Sequence, residues 1–288
     1  MQKINESYLN TVEENFNLND FLGDWINDGA SLYEKFNTAQ PFKHIIINDF
    51  LKKEYIDEIH DLFPTNFEEW HKYYNPIEVK YANDDIDSLP KQIKDLFYLL
   101  SSKKIINVIS KMTGINDLEY DPYLHGAGLH AHPRYGRLNM HLDYEKHPIT
   151  SKERRLNIIL YLNKEWDQSW NGQTELWDKD MKECCVKSPI KYNTAIIFQT
   201  NDYSWHGVPE IILCPEGTHR KSFAYYYVSP MRTIKNDNEY RMKAKFIKRP
   251  CDEYDPRMEK LYEIRANRRI TEKDLEEFFG DFTPKNAC

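Results

Sequence analysis

The 288-residue sequence predicts an α+β fold, an antiparallel β sandwich or barrel flanked by helical segments. Three observations predict it. Residues 121–230 run as short alternating or β-branched stretches broken by turns. Upstream, 53–63 and 102–113 carry apolar stripes at helical spacing. Beyond Pro230 the pattern turns charged and helical again. The chain accordingly divides into a helical and strand support region over 1–120, a β core over 121–230 and a charged helical C-terminal extension over 231–288.

Each element has its own signal. Residues 42–50, with Ile45-Ile46-Ile47, read as a strand entering the first helix. That helix aligns Tyr55, Ile56, Ile59, Leu62 and Phe63 and stops at Pro64; the second aligns Ile105, Val108, Ile109 and Met112 and ends at Gly114. Both stripes are core faces. The segment His132-Pro133-Arg134-Tyr135-Gly136 turns the chain between two strands. In the second of these, Arg137, Asn139, His141 and Asp143 share one face, while Leu138, Met140 and Leu142 share the other. The charged stretch 150–155 reads as a solvated loop, the alternative being a mobile lid carrying Arg154 and Arg155. Residues 156–162 place Leu156, Ile158, Leu160 and Leu162 opposite Asn157, Ile159 and Tyr161. Trp170-Asn171-Gly172 is a turn before a strand at 174–177, and 194–199 and 222–228 are further strands. Asp255-Pro256 opens a C-terminal helix as N-cap and first residue, and Thr271 with Asp274 caps the last one. No repeat or low-complexity linker separates the parts, so the flanks pack on the β core or the C-terminal helices stand apart as an extension.

Composition narrows the function classes. A net charge of −7 gives no general attraction to nucleic acid or anionic membrane. No stretch approaches a membrane span, and the amino terminus has no charged-then-apolar leader, so the expectation is a soluble, cytoplasmic protein. The five cysteines, Cys184, Cys185, Cys214, Cys251 and Cys288, are odd in number and read as reduced thiols. On a strand Cys184 and Cys185 would face opposite ways, which argues against a shared zinc site.

Five of the ten histidines fall between His125 and His147, so metal chemistry belongs mid-chain. His141 and Asp143, spaced His-x-Asp, point the same way on an extended strand. A third ligand distant in sequence must come from a strand packed opposite, and His206, within Trp205-His206-Gly207, supplies it. Two imidazoles and one carboxylate make the facial triad of non-haem Fe(II) oxygenases, which leaves coordination positions open. His-x-Asp alone also occurs on surface strands; here the downstream context selects the metal reading. His130 and His132 share a face, and a His-x-His pair binds metal in some cupin-type sandwiches. With a better-matched triad present, they read as support for the ligands, substrate contacts or plain structure. Asn139 either points into the same cavity as His141 or bonds neighbouring backbone.

Taken in order, 124–130 (Leu-His-Gly-Ala-Gly-Leu-His), 138–144 (Leu-Asn-Met-His-Leu-Asp-Tyr), the strand from Leu156 to Tyr161 followed by Leu162-Asn163, the 170–177 turn, His206 and His219-Arg220-Lys221-Ser222 resemble the prolyl 4-hydroxylase-like branch of the 2-oxoglutarate and Fe(II)-dependent oxygenases. The resemblance spans roughly positions 40–230 and is specific as a set. It implies a double-stranded β-helix, or jelly-roll, with supporting helices. It also implies Fe(II) held by His141, Asp143 and His206, with 2-oxoglutarate and O2 as cosubstrates. Arg220 would bind the distal carboxylate of 2-oxoglutarate, with Ser222 beside it and the Tyr161 hydroxyl reaching the same group. Arg220 lies further beyond His206 than in close relatives, across a longer loop at 210–218, which leaves Lys221 or Arg232 as substitutes.

The implied reaction is hydroxylation of an unactivated C–H bond, of peptidyl proline or an amino acid, with release of succinate and CO2. Partners would be a small-molecule or peptide substrate, with no nucleic acid and no membrane; oligomeric state is open. A cupin-like metal- or sugar-binding module without redox turnover is the second reading. It needs no dicarboxylate pocket behind the metal, so Arg220 and Tyr161 discriminate. A halogenase of the same superfamily is disfavoured because Asp143 fills the position that chloride would need.

Overall fold

The computed structural model describes residues 4–236, 239–280 and 282–283. Along the chain α1 (Glu6–Asn15), α2 (Leu18–Phe21) and α3 (Gly29–Thr38) precede β1 (His44–Ile47) and α4 (Lys53–Asp61). A hairpin, β2 (His71–Asn75) and β3 (Glu78–Asn83), leads to α5 (Lys91–Ser101), α6 (Lys103–Thr113) and the short β4 (Glu119–Tyr120). The central strands are β5 (Gly128–His132), β6 (Arg137–Leu142), β7 (Glu153–Tyr161), β8 (Thr174–Trp177), β9 (Cys184–Ser188), β10 (Thr194–Gln199), β11 (His206–Val208) and β12 (Arg220–Ser229). The chain ends in β13 (Lys245–Phe246), α7 (Pro256–Asn267) and α8 (Glu272–Phe279).

The strands join in the order β1-β10-β7-β12-β5-β3-β6-β11-β8-β9, paired antiparallel throughout. This is the jelly-roll that the sequence resemblance implied: β1-β10-β7-β12-β5 makes one layer, β6-β11-β8-β9 the other, and β3 bridges them. The expected alternation along β7 decides which side is core. Leu156, Ile158 and Leu160 pack with Phe36, Leu96, Phe97 and Ile109 of the helices, whereas Asn157 and Ile159 face a cavity between the layers. Helices α3 to α6 thus back one layer with apolar stripes and leave the other face free for chemistry.

The segment after Pro230 closes the opposite side. β13 pairs with β6, setting Phe246 against His141, and Phe246 packs with Ile77 and Tyr262. Asp255 caps α7 with Pro256 at its first position, and Thr271 with Asp274 forms a capping box on α8. The described cysteines are free thiols; Cys288 lies outside the described residues. Among the described residues no helix is long and apolar enough to cross a membrane.

Candidate functional site

Strand pairing assembles the triad. β6 and β11 run antiparallel with His141 directly opposite His206, and Asp143 follows β6 immediately. The ligating atoms of His141, Asp143 and His206 all lie within 4.8 Å of one another. His141 Nε2 stands 3.7 Å from Asp143 Oδ1, and His206 Nε2 stands 3.6 Å from Asp143 Oδ2. Each imidazole is oriented from behind: His141 Nδ1 meets the Asn139 carbonyl at 2.9 Å and His206 Nδ1 the Ser204 carbonyl at 2.9 Å. A carbonyl can only accept, so Nδ1 carries the proton and both Nε2 lone pairs turn toward Asp143. Burial, then the neighbouring His141, lowers His206 to about 4, which keeps it a neutral ligand near neutral pH. The donor set of two imidazoles and a carboxylate suits a divalent transition metal.

Gly207 explains the residue after His206. A Cβ there would sit 2.8 Å from the Leu138 carbonyl oxygen and 3.0 Å from that of Asn139, too close for any side chain. The approach is tight because β6 bulges: His206 pairs with His141 but Val208 pairs with Leu138, one residue further than regular pairing gives. The bulge corrects one sequence expectation. Strict alternation would put Asn139 in the cavity with His141; instead Asn139 donates to the Tyr262 hydroxyl of α7 at 3.4 Å, and Leu138 lines the cavity.

The second correction concerns 150–155. Arg154 and Arg155 belong to β7 and are buried, neither lid nor solvated loop. Arg154 reaches Asp143 Oδ1 at 3.1 Å and lies over the rings of Tyr144 and Tyr226, at 4.0 and 3.2 Å from their centroids. Asn157 also donates to Asp143 Oδ2 at 3.4 Å. Burial alone would raise Asp143, but Arg154 and then the imidazoles prevail and hold it well below the usual carboxylate range. No period-2 signal marks Arg154, since charged neighbours on both sides resemble a loop.

The other end of the cavity is cationic. Arg220 on β12 is 2% exposed; its Nε donates to the Gly172 carbonyl at 2.7 Å, and its terminal nitrogens donate to Ser222 Oγ at 3.3 Å and Thr174 Oγ1 at 3.1 Å. Tyr161 donates to the same Thr174 oxygen at 2.9 Å, with its ring 5.1 Å from the guanidinium. Gly172, at φ +90, holds its carbonyl against Arg220 in a conformation that side chains rarely adopt. Among the described residues no carboxylate pairs with Arg220; all its partners are neutral. The two substitutes lie elsewhere, Lys221 over the Phe63 ring and Arg232 paired with Glu153.

His130 and His132 of β5 sit in register with Ser222 and Arg220 and line the cavity, apart from the metal-ligand group. Burial, then the nearby cations, holds both well below the usual histidine value. The hairpin β2–β3 supplies wall residues that helical and turn patterns did not announce: Glu78, Lys80 and, at the mouth, His71. Arg265 of α7 closes on Glu78 at 2.9 Å. The cavity encloses about 220 Å³, room for several small polar molecules when a single water needs roughly 10–15 Å³.

Comparison with known proteins agrees with this geometry. Residues 127–228 match the family model for the 2OG-Fe(II) oxygenase superfamily, a span that contains the triad and Arg220. Among solved structures the fold is similar to a Pseudomonas putida prolyl-4-hydroxylase, at 14% identity over 69% of this chain and 100% of that one, with TM-score 0.52. It is also similar to a Trichoplax adhaerens prolyl hydroxylase in complex with a hypoxia inducible factor oxygen degradation domain peptide fragment, at 16% identity over 72% and 94% of the chains, with TM-score 0.50. At these identities the likeness concerns the fold. A search of curated proteins finds no sequence match.

Proposed function

We propose that this chain is a 2OG-Fe(II) oxygenase, a reading supported by the family match over residues 127–228, and that its own residues divide the work as follows. His141, Asp143 and His206 would hold Fe(II); Arg220, Ser222 and Tyr161 would seat the distal carboxylate of 2-oxoglutarate. The metal, with 2-oxoglutarate and O2, supplies oxidative decarboxylation to succinate and CO2 coupled to hydroxylation of an unactivated C–H bond. The protein's part is placement. The carbonyls behind His141 and His206 fix both rings, Arg154 and Asn157 fix Asp143, and the buried walls keep the oxidising step away from bulk water.

One observation carries this reading: a fully buried guanidinium whose partners among the described residues are all neutral, in the same cavity as the triad. A desolvated cation without a counter-ion is costly, and an incoming carboxylate removes that cost with a planar, two-point contact. A cupin-like binding module would have no use for it. The substrate is a small molecule or peptide, with peptidyl proline or an amino acid as the leading candidates, supported by the fold shared with prolyl hydroxylases. The free thiols support a reducing, cytoplasmic setting.

The test is a titration of 2-oxoglutarate into the anaerobic Fe(II) protein, following the metal-to-ligand charge-transfer absorption. Arg220→Gln loses a hydrogen bond to a charged group, worth about 1.5–3 kcal/mol, so affinity falls about ten- to a hundredfold. Arg220→Lys recovers part of it, Tyr161→Phe loses less, and Fe(II) affinity stays level in all three. Unchanged binding in Arg220→Gln removes Arg220 from the cosubstrate site, and absence of 2-oxoglutarate binding in the unmodified protein overturns the oxygenase reading.

A further inference from the structure

The cavity holds more positive charge than the proposed cosubstrate uses. Six Lys and Arg side chains line it against three Asp and Glu, in a protein whose net charge is −7. The buried carboxylates are already matched: Asp143 by Arg154 at 3.1 Å and Glu78 by Arg265 at 2.9 Å. In the proposed complex the metal-side carboxylate of 2-oxoglutarate would offset part of the metal's charge and the distal carboxylate would be matched by Arg220. Lys80 remains. It projects from β3 into the cavity and is 9% exposed; among the described residues it has no hydrogen bond or ion pair, its Nζ lies 5.1 Å from the Tyr73 ring, and Glu78 and, more weakly, Asp143 act on it through their fields. Burial works against its charge, as does the proximity of Arg265.

A second observation points to the same place. His132 is 2% exposed with neither ring nitrogen in a hydrogen bond, and His130, on the same face of β5, also lines the cavity. β3 pairs with β5 here, Ala82 opposite His130, so Lys80 and both imidazoles belong to one stretch of wall. Buried polar groups without partners in a lined cavity are groups that a ligand satisfies.

We propose that the substrate hydroxylated at this site is anionic, and that its carboxylate or phosphate group is bound by Lys80 with His130 and His132 beside it. This deepens the oxygenase reading and rests on it. Lys80 then acts as a specificity residue: it fixes one end of the substrate by charge while the metal end of the cavity receives the C–H bond. At the mouth Lys243 and Arg269 extend the positive field outward, which favours capture of an anion from solution.

The test uses the full chain loaded anaerobically with Fe(II) and saturating 2-oxoglutarate, titrated calorimetrically with three probes on one carbon skeleton: glycerol 3-phosphate, glycerate and glycerol. The anions should bind, glycerol should not, and added salt should weaken the binding. Whichever anion binds tighter identifies phosphate or carboxylate as the preferred group. Lys80→Met should weaken the anion about ten- to a hundredfold while 2-oxoglutarate affinity holds. If Lys80→Met does not fold, Lys80→Arg keeping the anion and Lys80→Gln losing it carries the same information. The proposal is overturned if the anions bind no better than glycerol, or if Lys80 variants lose 2-oxoglutarate instead, which would make Lys80 part of the cosubstrate anchor. Loss of 2-oxoglutarate binding by the unmodified protein is a different result, the failure of the oxygenase reading itself.

Discussion

Asp143 is buried between opposing demands, since it must stay ionised to bind a metal in a place where burial penalises that charge. Arg154 resolves this, held flat between Tyr144 and Tyr226 with its guanidinium on Asp143 Oδ1. Removing one partner of a buried ion pair costs about 3–5 kcal/mol because the other charge is left uncompensated. Arg154→Met should therefore lose about that much stability in denaturant titrations of the metal-free protein. Fe(II) should return part of the loss, since a divalent ion compensates the same carboxylate; equal midpoints for variant and parent would show that the pair contributes nothing. The two ends of this arrangement were unequally legible. His141 and Asp143 announce themselves because a strand repeats every second residue and two metal-ligand types recur at that interval. Arg154 does not, because Ser151, Lys152, Glu153 and Arg155 around it have the composition of a solvated turn, and only the pairing of β7 with β12 reveals a buried strand.

Elements hold these residues in place through a few cross-ties. The stretch between β6 and β7 is anchored by His147, whose Nδ1 accepts the backbone N–H of Ile149 and Thr150 at 3.2 and 3.1 Å. Its Nε2 lies 3.1 Å from Asp121 Oδ1, while Asp121 also accepts from the N–H groups of Tyr123 and His125. Burial would raise the Asp121 carboxyl, but His147 and these N–H groups outweigh it and lower it. A carboxylate lowered on folding contributes stability that is fully present above its unfolded value of about 4 and is lost as pH falls through the folded value. Asp121→Asn should accordingly flatten the acid limb of stability against pH below about pH 4. Chemical denaturation at a series of pH values measures this, and an unaltered limb would exclude Asp121 as a contributor. At this scale the helical stripes, the capping residues and most strands of the β core could be read from periodicity. The β6 bulge could not, since an extra residue in one strand leaves no mark in hydrophobic pattern; it displaces Asn139 toward Tyr262 and depends on which strand lies opposite. The β2–β3 hairpin escaped for a related reason: His71-Lys72-Tyr73-Tyr74 lacks an apolar alternation because one of its faces looks into a polar cavity.

Across the whole molecule the cavity has two kinds of wall, and they fail differently. The layer backed by α3 to α6 shares the large apolar cluster, so its stability is collective. The opposite wall depends on the chain beyond Pro230, where β13 places Phe246 on the His141 ring at 5.1 Å and α7 stacks Tyr262 behind it. α7 also buries Leu261 and brings Arg265 to Glu78. A chain ending at Asp255 should keep β13 but lose that backing. Each of the two buried side chains contributes about 1.5–3 kcal/mol, and the unpaired Glu78 adds a cost of about 3–5 kcal/mol. Against a total stability of about 5–15 kcal/mol, that loss is decisive. The shortened protein should melt at least about 10 °C lower or fail to fold. Arg265→Met separates the causes, because it keeps the apolar backing and removes only the charge; it should fall between the two in melting temperature. A shortened chain that melts with the parent and binds Fe(II) equally well would mean that α7 merely rests on a wall the jelly-roll completes by itself.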